Sequence, residues 1–443
     1  MTDNNIGYPN DTTGAPTDVT EPGPAETTEA QEVTGSTPSG FSFTFSGAKS
    51  YKDGVFYFGK EPLRLLFDAA DSSFNCFSLK YSASAPLKCT AVYSIDGREI
   101  SDVFWLESGE NKTFTSLIDR YTEGKSARNP SSVTFEPMKG TNQTFSLADF
   151  GVSQREKCPG NEVFAEAFGI KLGIRLEWGG GISYYEDKND GDDSISNLLN
   201  SHDTGRLVQQ SYYGSSSAPY EPGTYNGTVW SYNPVQGGNL FGEKSRLIDY
   251  SIAEDGSSVH VKCLPRDWAK KGIYSMSYME NTYTIRDGYV SVDNRFTDFS
   301  GYIHPQSHQE LPAFYTISSL SDFSFYGGSS AWKDLPLTVK SDLPFWGGNP
   351  NAYFTLKSKE TFCAWTSPET GFGIGVYSPI ATILLAGKYN YNGTKDPKAD
   401  PTNYVAPLIT KKLESFVPFE YSYYIASGTA DSIRSCFKTV SGH

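Results

Sequence analysis

The chain has few cysteines, no long apolar run and no concentration of basic residues. Its 443 residues include six cysteines without Cys-x-x-Cys spacing, so a zinc site is not indicated. The absence of any stretch of about 18 apolar residues argues against a transmembrane helix. The formal net charge is −14 and no Lys/Arg-rich run stands out, whereas nucleic acid binding needs a basic footprint. We therefore expect no nucleic acid partner, metal or cofactor, and a neutral or weakly charged ligand.

Several well-known enzyme motifs are also missing from the sequence. It contains no G-x-S-x-G elbow, no P-loop and no dinucleotide-binding fingerprint, so serine hydrolases, kinases and dehydrogenases lose their main support. The spacing of Cys76 and Cys89 allows a disulfide across a hairpin. Scattered buried thiols are the alternative, and the sequence leaves both open.

Aromatic residues and turn formers are plentiful. Aromatic side chains make up 14% of the chain, and there are 42 glycines and 25 prolines. Flat rings pack well on a pleated sheet, and glycine and proline supply the turns that antiparallel strands need. Long amphipathic helical periods are hard to find. The composition predicts an all-β protein.

The pattern along the chain divides it into three parts. Residues 1–40 are rich in Thr, Pro and Glu and contain few apolar side chains, which predicts a disordered tether typical of extracellular or surface-attached proteins. Short alternating runs such as "FSFTFSG" predict a β-sandwich over residues 41–155. This domain is either an accessory carbohydrate-binding or packing module, or a purely structural extension of the main domain. Residues 160–440 predict a large antiparallel two-layer sandwich with long paired strands, including a hairpin around the "RDG" turn at Arg286–Gly288. "EVFAEAFGI" is the best candidate for a short helix.

The densest polar cluster is the segment "NSHDTGRLVQQSYYG". If "GRLVQQSYY" is a strand, Arg206, Gln210 and Tyr212 lie on the same face, because side chains alternate along a strand. Such a row of hydrogen-bonding and stacking groups suits sugar recognition. The turn before it would place His202 and Asp203 at the rim of the site. An ordinary edge strand with a capped turn is the competing interpretation.

A second polar cluster is "IHPQSHQELPAFY". In an extended segment His304, Gln306, His308 and Glu310 share a face, beside the apolar "LPAFY". A carboxyl group next to apolar surface tends to have a raised pKa, which suits a general acid. Three of the five histidines lie in the two clusters, at His202, His304 and His308. A structural His–Glu network is the alternative.

Five further residues are weaker candidates for contacts with a ligand. Trp178 precedes three glycines, so its ring could stack on a sugar, and Glu177 is a reserve carboxylate. The loop "WSYNPVQGGN" looks like the lining of a cleft, with Asn233 and Gln236 as contacts. Gln309 is a candidate contact in the second cluster.

The segments "NSHDTGRLVQQSYYG", "YNPVQGGN", "HQELPAFY", "GFGIGVYSP" and "EYSYYIASG" resemble bacterial carbohydrate-active proteins with a galactose-mutarotase-like β-supersandwich. The resemblance covers about Gly169–Gly428. It implies that the large domain is a supersandwich with the sugar on its concave face. The residues that it implicates are His202, Asp203, Arg206, Gln210, His308 and Glu310.

The leading functional hypothesis is an extracellular glycoside hydrolase that acts on an oligo- or polysaccharide. Such an enzyme needs two carboxylates, and we assign Glu310 as the acid and Asp203 as the base or nucleophile. Arg206, Gln210 and Tyr212 would position the sugar.

Three alternatives remain for the same clusters. A polysaccharide lyase would use Tyr212 or His202 as base, with Arg206 neutralising a uronate carboxylate. A non-catalytic glycan-binding surface protein would use the same groups only as hydrogen-bond partners. A mutarotase-type epimerase is the third alternative.

Overall fold

The computed structural model describes residues 34–68, 73–156, 160–189, 195–333, 335–344, 353–389 and 393–443. Most of the predicted tether therefore lies outside the described residues. Its last part contains a strand, Thr34–Ser36, that pairs with Ser42–Ser46. The described chain is almost entirely antiparallel β-sheet, which confirms the predicted all-β class.

The first part of the chain folds into two facing sheets. Its twelve strands within the described residues are β1 (Thr34–Ser36), β2 (Ser42–Ser46), β3 (Ala48–Lys52), β4 (Val55–Phe58), β5 (Leu63–Phe67), β6 (Ser73–Phe74), β7 (Cys76–Ala83), β8 (Leu87–Ile95), β9 (Arg98–Leu106), β10 (Gly109–Leu117), β11 (Ala127–Pro137) and β12 (Thr144–Ser153). One sheet has the order β1-β2-β5-β11-β8-β9, with β6 beside β11, and the other has the order β10-β7-β12-β4-β3. Alternating apolar residues such as Leu63, Leu65 and Phe67 fill the space between the sheets.

The second part contains the larger sheets and the C-terminal helix. Its elements within the described residues are β13 (Val163–Ala167), β14 (Ile170–Arg175), β15 (Gly181–Asp187), β16 (Gln209–Ser211), β17 (Gly223–Tyr225), β18 (Thr228–Trp230), β19 (Pro234–Val235), β20 (Arg246–Ile252), β21 (Ser258–Leu264), β22 (Arg266–Asp267), β23 (Ser277–Arg286), β24 (Tyr289–Asp298), β25 (Gln306–Ile317), β26 (Asp322–Phe325), β27 (Thr338–Lys340), β28 (Phe354–Leu356), β29 (Phe362–Thr366), β30 (Phe372–Tyr377), β31 (Ile383–Tyr389), β32 (Thr402–Lys412), β33 (Phe419–Thr429) and α1 (Ala430–Val440). Short 3-10 helices lie at Tyr121–Glu123 and Leu176–Trp178.

Two of these sheets form the layers of the large sandwich. The site sheet has the order β22-β19-β16-β25-β32-β31-β28, and the back sheet has the order β20-β21-β23-β24-β33-β30-β29-β26-β27. Their facing sides meet in one apolar core, where the Tyr212 ring stacks on Phe296 with centroids 3.9 Å apart. Smaller sheets, β13-β14-β15 and β17-β18, complete the domain. The other side of the site sheet faces away from this core and carries a separate cluster that includes Ala313, Tyr404 and Leu408.

The two domains share a hydrophobic core. Phe104, Trp105 and Phe114 of the first domain belong to the same buried cluster as Tyr278 and Phe299 of the second. The backbone N–H of Trp105 also donates to the Tyr278 hydroxyl at 2.9 Å. The first domain therefore packs against the second through buried side chains.

Local predictions had mixed outcomes. The long hairpin is confirmed, with Arg286 opposite Tyr289 across the turn. The predicted helix in "EVFAEAFGI" is wrong, because Val163–Ala167 is a strand whose alternate residues are buried. The helix of the described residues is instead α1, which begins at the N-cap Thr429 and buries Ile433 and Phe437.

The cysteines of the described residues are free thiols. Cys76, Cys89, Cys263 and Cys363 are buried and Cys436 is partly buried, so the possible Cys76–Cys89 disulfide is not formed. Cys158 lies outside the described residues. Nor does any α-helix in the described segments have the length and apolar character that crossing a bilayer requires.

Candidate functional site

Strand β25 carries Glu310 onto the outer side of the site sheet. The pairing of β25 with β32 shifts register between Glu310 and Phe314, so the alternation of side chains changes there. As a result Glu310, Ala313 and Tyr315 all line the same outer pocket. The residues between them, Leu311 and Phe314, are fully buried in the core on the other side. The irregularity concentrates three neighbouring residues of β25 at one place on the surface.

Burial and hydrogen bonding oppose each other at Glu310. Burial raises the pKa of its carboxyl group, while hydrogen bonds from the Tyr404, Tyr213 and Ser211 hydroxyls lower that pKa. The net pKa lies above the usual glutamate value, as the sequence predicted. The Tyr213 hydroxyl donates to Oε1 of Glu310 at 3.1 Å. Ser211 lies opposite Glu310 in the pairing of β16 with β25. The carboxyl group is therefore suited to hold a proton and to release it.

Aromatic side chains form most of the wall around Glu310. We call this pocket of about 160 Å³ the Glu310 lobe. Such rings present flat apolar faces to a ligand, together with phenol and indole groups that hydrogen-bond at the edge. The aromatic residues of the lobe are Tyr213, Tyr225, Trp230, Trp268, Tyr315, Tyr353 and Tyr404.

The hairpin β17-β18 supplies one side of the lobe. Its turn has Asn226 and Gly227 at positive φ, the conformation that an Asn-Gly hairpin turn requires. The hairpin places Tyr225 and Trp230 against each other with ring centroids 5.1 Å apart. The Trp230 Nε1–H donates to Oδ1 of Asn233 at 3.0 Å, and Asn233 Nδ2 donates to Ser211 Oγ at 3.2 Å. Asn233 thus lines the lobe, as predicted, and orients Trp230.

A second pocket of about 400 Å³ adjoins the first, and we call it the Arg206 lobe. Both lobes are lined by Gly205, Tyr225, Trp268 and Tyr315, so together they form one cleft. The residues that line only the second lobe are Asp203, Thr204, Arg206, Asn239, Leu240, Gly242 and Tyr389.

Asp203 and Arg206 form an ordered pair in the second lobe. Oδ1 of Asp203 accepts hydrogen bonds from the backbone N–H groups of Gly205 at 2.9 Å and Arg206 at 3.1 Å. The Arg206 guanidinium lies 3.5 Å from Oδ2 of Asp203 and 2.9 Å from a carboxylate oxygen of Asp400. It also lies over the Tyr389 ring, 4.8 Å from the centroid. The structure thus places Asp203, Arg206 and Glu310 along one cleft.

Gln210 and Tyr212 point away from this cleft. Both are fully buried between the two sheets of the large sandwich. The Tyr212 hydroxyl donates to Oε1 of Gln210 at 2.6 Å, and Gln210 Nε2 donates to Oδ1 of Asn281 at 3.0 Å. The predicted role of these residues as sugar contacts does not fit this placement. The residues of opposite parity, Gln209 and Ser211, line the cleft instead.

Two other predicted contacts, Gln236 and Gln309, are also buried structural amides. Gln236 Nε2 lies within hydrogen-bonding distance of the Gly179 carbonyl, Asn281 and the Tyr283 hydroxyl. Gln309 holds β25 to its neighbours, because its Oε1 accepts from the Tyr213 backbone N–H at 2.6 Å. Neither lines the cleft.

The histidines of the two clusters lie in three separate environments. His202 and His308 are exposed and line neither lobe. Nδ1 of His202 lies 2.7 Å from the Lys398 carbonyl oxygen, and Nδ1 of His308 lies 2.9 Å from Thr410 Oγ1. His304 is buried, and its Nε2 lies 3.3 Å from a carboxylate oxygen of Asp298. The predicted catalytic roles of His202 and His308 do not fit this geometry, whereas His304 matches the structural-network interpretation.

Trp178 and Glu177 lie away from the cleft. The Arg175 guanidinium stacks over the Trp178 ring at 4.2 Å from its centroid. Glu177 forms ion pairs with Arg175 at 3.0 Å and with Lys244. Glu177 instead lines a polar pocket at the junction of the two domains. The predicted role of Trp178 and Glu177 as sugar contacts does not fit this placement, because neither residue lines the cleft.

The sequence interpretation missed most of the aromatic wall. Tyr213, Trp268, Tyr353 and Tyr404 line the lobe but are not among the residues that the sequence predicts for the site. Their separation in sequence hides them, because β16, β25 and β32 come together only in the folded sheet. One available signal was the "YNG" turn beside Trp230, which marks a hairpin that presents aromatic side chains.

The fold is that of an all-β protein with two antiparallel sandwiches, and the larger one carries a cleft lined by aromatic and acidic side chains. No protein-family model matches the chain, and no curated protein matches it. A galactose mutarotase related enzyme from Lactobacillus acidophilus matches in structure with a TM-score of 0.38 and 12% identity, covering 61% of this chain and 98% of that chain. A galactose mutarotase-like protein from Lactobacillus casei matches in structure with a TM-score of 0.35 and 14% identity, and the match covers 60% of this chain and 100% of that chain.

Glycoside hydrolase chains are also among the similar structures. A GH36 alpha-galactosidase from Geobacillus stearothermophilus has a TM-score of 0.36 and 10% identity, covering 61% of this chain and 40% of that chain. The galactose mutarotase-like proteins that the sequence motifs predicted are thus found among the structural neighbours.

Proposed function

We propose that this protein is a carbohydrate-active enzyme, specifically an extracellular glycoside hydrolase acting on a neutral or weakly charged glycan. The observation that carries the proposal is Glu310, a carboxyl group with a raised pKa, set within an aromatic wall. The aromatic wall suits the apolar faces of sugar rings, and the raised pKa keeps a proton available for the leaving oxygen. The extracellular location rests on the Thr/Pro-rich composition of residues 1–40.

Hydrolysis of a glycosidic bond needs a second carboxylate in the same cleft. In the proposed mechanism Glu310 gives its proton to the leaving glycosidic oxygen as the bond to the anomeric carbon breaks. Along one route Asp203 takes a proton from the water that attacks the anomeric carbon. Along the other route Asp203 attacks the anomeric carbon and forms a glycosyl ester, and water then cleaves that ester while Glu310 takes back a proton. Arg206 holds Asp203 through its ion pair at 3.5 Å.

The lyase and epimerase alternatives differ in their support. The lyase mechanism lacks its base, because Tyr212 is in the core and Nδ1 of His202 faces the Lys398 carbonyl outside the cleft. A 1-epimerase is favoured by one observation. Glu310 and the Tyr213 hydroxyl, 3.1 Å apart, form an acid–base pair inside a lobe small enough for a single sugar.

The test is the substitution Glu310→Gln, which removes the transferable proton and keeps the size of the side chain. We expect turnover on a glycan panel, read by mass spectrometry as a gain of one water per cleavage, to fall by about 10²–10⁴-fold. Glycan binding should persist. The matched control is Glu420→Gln, because the Glu420 side chain is 71% exposed on the back sheet. Unchanged turnover in Glu310→Gln would refute the assigned role.

Polarimetry separates the second candidate from the first. A 1-epimerase would accelerate the change in rotation of freshly dissolved α-anomers of hexoses without any mass gain in glycans. A hydrolase would show the mass gain and leave the mutarotation rate at its spontaneous value.

A further inference from the structure

Ser211 lies on the middle one of three neighbouring strands of the site sheet, in the order β19-β16-β25. It lies opposite Val235 in the pairing of β16 with β19, and opposite Glu310 in the pairing of β16 with β25. Asn233 comes just before β19, and its Nδ2 donates to Oγ of Ser211 at 3.2 Å. The order of the strands therefore places Ser211 between Asn233 and Glu310.

The chemistry of its neighbours fixes which way the Asn233 amide points. The indole N–H of Trp230 can only donate, and its nitrogen lies 3.0 Å from Oδ1 of Asn233. The Tyr212 carbonyl can only accept, and its oxygen lies 2.7 Å from Nδ2 of Asn233. A reversed amide would set two donors against each other on one side and two acceptors on the other. Asn233 therefore presents an N–H group, and not its oxygen, to Ser211.

Backbone contacts hold Asn233 in this position. The Trp268 backbone N–H donates to the Asn233 carbonyl at 2.9 Å, and the Asn233 backbone N–H donates to Oδ1 of Asp267 at 3.4 Å. Oδ2 of the same aspartate accepts from the Tyr220 hydroxyl at 2.8 Å. Asn233 and Asp267 are both buried. A held backbone and a held amide together direct the Asn233 N–H at one neighbour.

The Ser211 hydroxyl has one hydrogen to donate, and its surroundings decide where that hydrogen goes. Because Oγ accepts from Asn233, the hydrogen points to a different neighbour. The acceptors that Ser211 contacts in the lobe are the Glu310 carboxylate and the Tyr213 hydroxyl. The Tyr213 hydroxyl donates in turn to Oε1 of Glu310 at 3.1 Å. Along either path the hydrogen of Ser211 is directed toward the side of Glu310.

Charge does not compete with these hydrogen bonds inside the lobe. Among the described residues that line it, Glu310 is the only one with a charged form other than a phenolate. Burial raises the pKa of Tyr213, Tyr315, Tyr353 and Tyr404, so these phenols stay neutral where Glu310 titrates. The remaining phenol of the lobe is Tyr225. Beyond the lobe, Asp203 and Arg206 act on Tyr315 from the neighbouring lobe, and Asp267 lies behind Asn233.

From these contacts we infer that Asn233 is a positioning residue for the proposed acid, and that it acts through Ser211. By occupying a lone pair of Ser211 Oγ, the Asn233 amide directs the serine hydrogen toward Glu310. When Glu310 gives its proton to the leaving oxygen, its carboxylate gains a negative charge that this hydrogen stabilises. The inference rests on the proposed function and adds a residue that acts on the acid through another side chain.

The test follows the titration of Glu310 itself, by carbon NMR of protein with isotope-labelled glutamate carboxyl groups. The Glu310 signal is identified by its loss in Glu310→Gln. Ser211→Ala should raise the pKa of Glu310 by about 0.5–1 pH unit, because a donor to the carboxylate is lost. Asn233→Asp should also raise it, since the new carboxyl group takes the Ser211 hydrogen. Adding Ser211→Ala to Asn233→Asp should then produce no further rise.

Trp230→Phe is the matched control. It breaks the other side-chain hydrogen bond of Asn233 and keeps an aromatic ring, while the Tyr212 carbonyl still holds Nδ2. The pKa of Glu310 should stay at its wild-type value. Circular dichroism and thermal melting verify that each variant folds. If Asn233→Asp does not fold, Asn233→Ala replaces it. In that background the effect of Ser211→Ala should fall to about half or less, because the Tyr212 carbonyl then competes for the serine hydrogen.

The inference is overturned if Ser211→Ala leaves the pKa of Glu310 unchanged, or raises it equally with and without Asn233. A rise in Trp230→Phe as large as that in Asn233→Asp would also overturn it, because the effect would then be a general loosening of the lobe. The titration needs no turnover. The proposed function fails separately, if no glycan gains water with the wild-type protein or if the alkaline limb of the kcat/KM profile does not follow the Glu310 titration.

Discussion

At the scale of single residues, the chemistry of the cleft depends on the balance of effects on Glu310. Its surroundings remove water, which favours the neutral carboxylic acid. The hydroxyls of Tyr404, Tyr213 and Ser211 favour the charged form by donating hydrogen bonds to it. Burial also raises the pKa of Tyr213 and Tyr404 well above the usual value, so both phenols stay protonated and remain donors. The rise in the pKa of Glu310 is thus smaller than burial alone would produce.

This balance predicts how Tyr404→Phe changes the pH dependence of turnover. The substitution removes a hydrogen bond that lowers the pKa of Glu310, so the pKa rises further and the acid stays protonated to higher pH. The alkaline limb of the kcat/KM profile should therefore move to higher pH. The control is Tyr225→Phe, which alters the same lobe without removing a hydrogen bond to Glu310. A limb that stays in place, or moves to lower pH, would contradict the assignment of Glu310 as the acid.

Individual residues also show where sequence reasoning succeeds. The position of Glu310 in the cleft was predictable, because a carboxylate beside the apolar "LPAFY" is unusual. The positions of Asp203 and Arg206 in the cleft were predictable from a compact polar turn. The burial of Gln210 and Tyr212 in the core was not predictable. Polar groups can be buried when they hydrogen-bond to each other, as these two do at 2.6 Å. Nothing local shows which face of β16 meets the core.

At the scale of elements, the irregularity in β25 changes which of its side chains face the cleft. Regular alternation would place Leu311 and Ala313 on the same side of the sheet. The register shift instead sends Leu311 to the core and Ala313 to the cleft. The proline at 312 hints at an irregular strand, but only the pairing with β32 fixes where the shift occurs. By contrast, the β23-β24 hairpin was predictable because its strands are long and joined by a short turn.

The small hairpin β17-β18 supports a second prediction at this scale. Gly227 has φ +74°, so Gly227→Val forces a β-branched residue into the left-handed region at a cost of about 1–2 kcal/mol. Because the hairpin carries Tyr225 and Trp230, its loosening should weaken glycan binding by up to about tenfold. The whole-protein melting temperature should change little, since this two-stranded sheet is separate from the large sheets.

The turn of the β23-β24 hairpin offers a matched control for this variant. Gly288 has φ +81° between β23 and β24, and an added Cβ would meet nothing there within 4 Å, as at Gly227. Gly288→Val therefore introduces the same backbone strain far from the aromatic wall. If both variants weaken glycan binding equally, the effect is global and the hairpin does not hold the ligand.

At the scale of the whole molecule, the two sandwiches are joined by buried polar contacts as well as by the shared core. Arg246 of the second domain makes two hydrogen bonds to the Asp102 carboxylate of the first, both at 2.8 Å. Arg246 also donates to the Leu117 carbonyl at 3.0 Å, and the Tyr93 hydroxyl donates to Asp102. A separate ion pair joins Arg295 to Glu107 at 2.7 Å. The sequence could not predict the contacts of Arg246 and Arg295 with the first domain, because their partners are more than a hundred residues away along the chain.

These contacts predict that the described domains unfold together. Asp102→Ala leaves the buried Arg246 guanidinium without its carboxylate partner, and such a loss costs about 3–5 kcal/mol. Burial of an unpaired charge affects both domains, so the whole denaturation curve should shift as one cooperative transition. The measurement is urea denaturation followed by tryptophan fluorescence and by circular dichroism. Glu136→Ala is the control, because it breaks an exposed pair with Lys88 and should cost about 1 kcal/mol or less. Two separate transitions, only one of which shifts in Asp102→Ala, would contradict this prediction. They would show that the first sandwich folds independently and would favour the accessory-module interpretation of that domain.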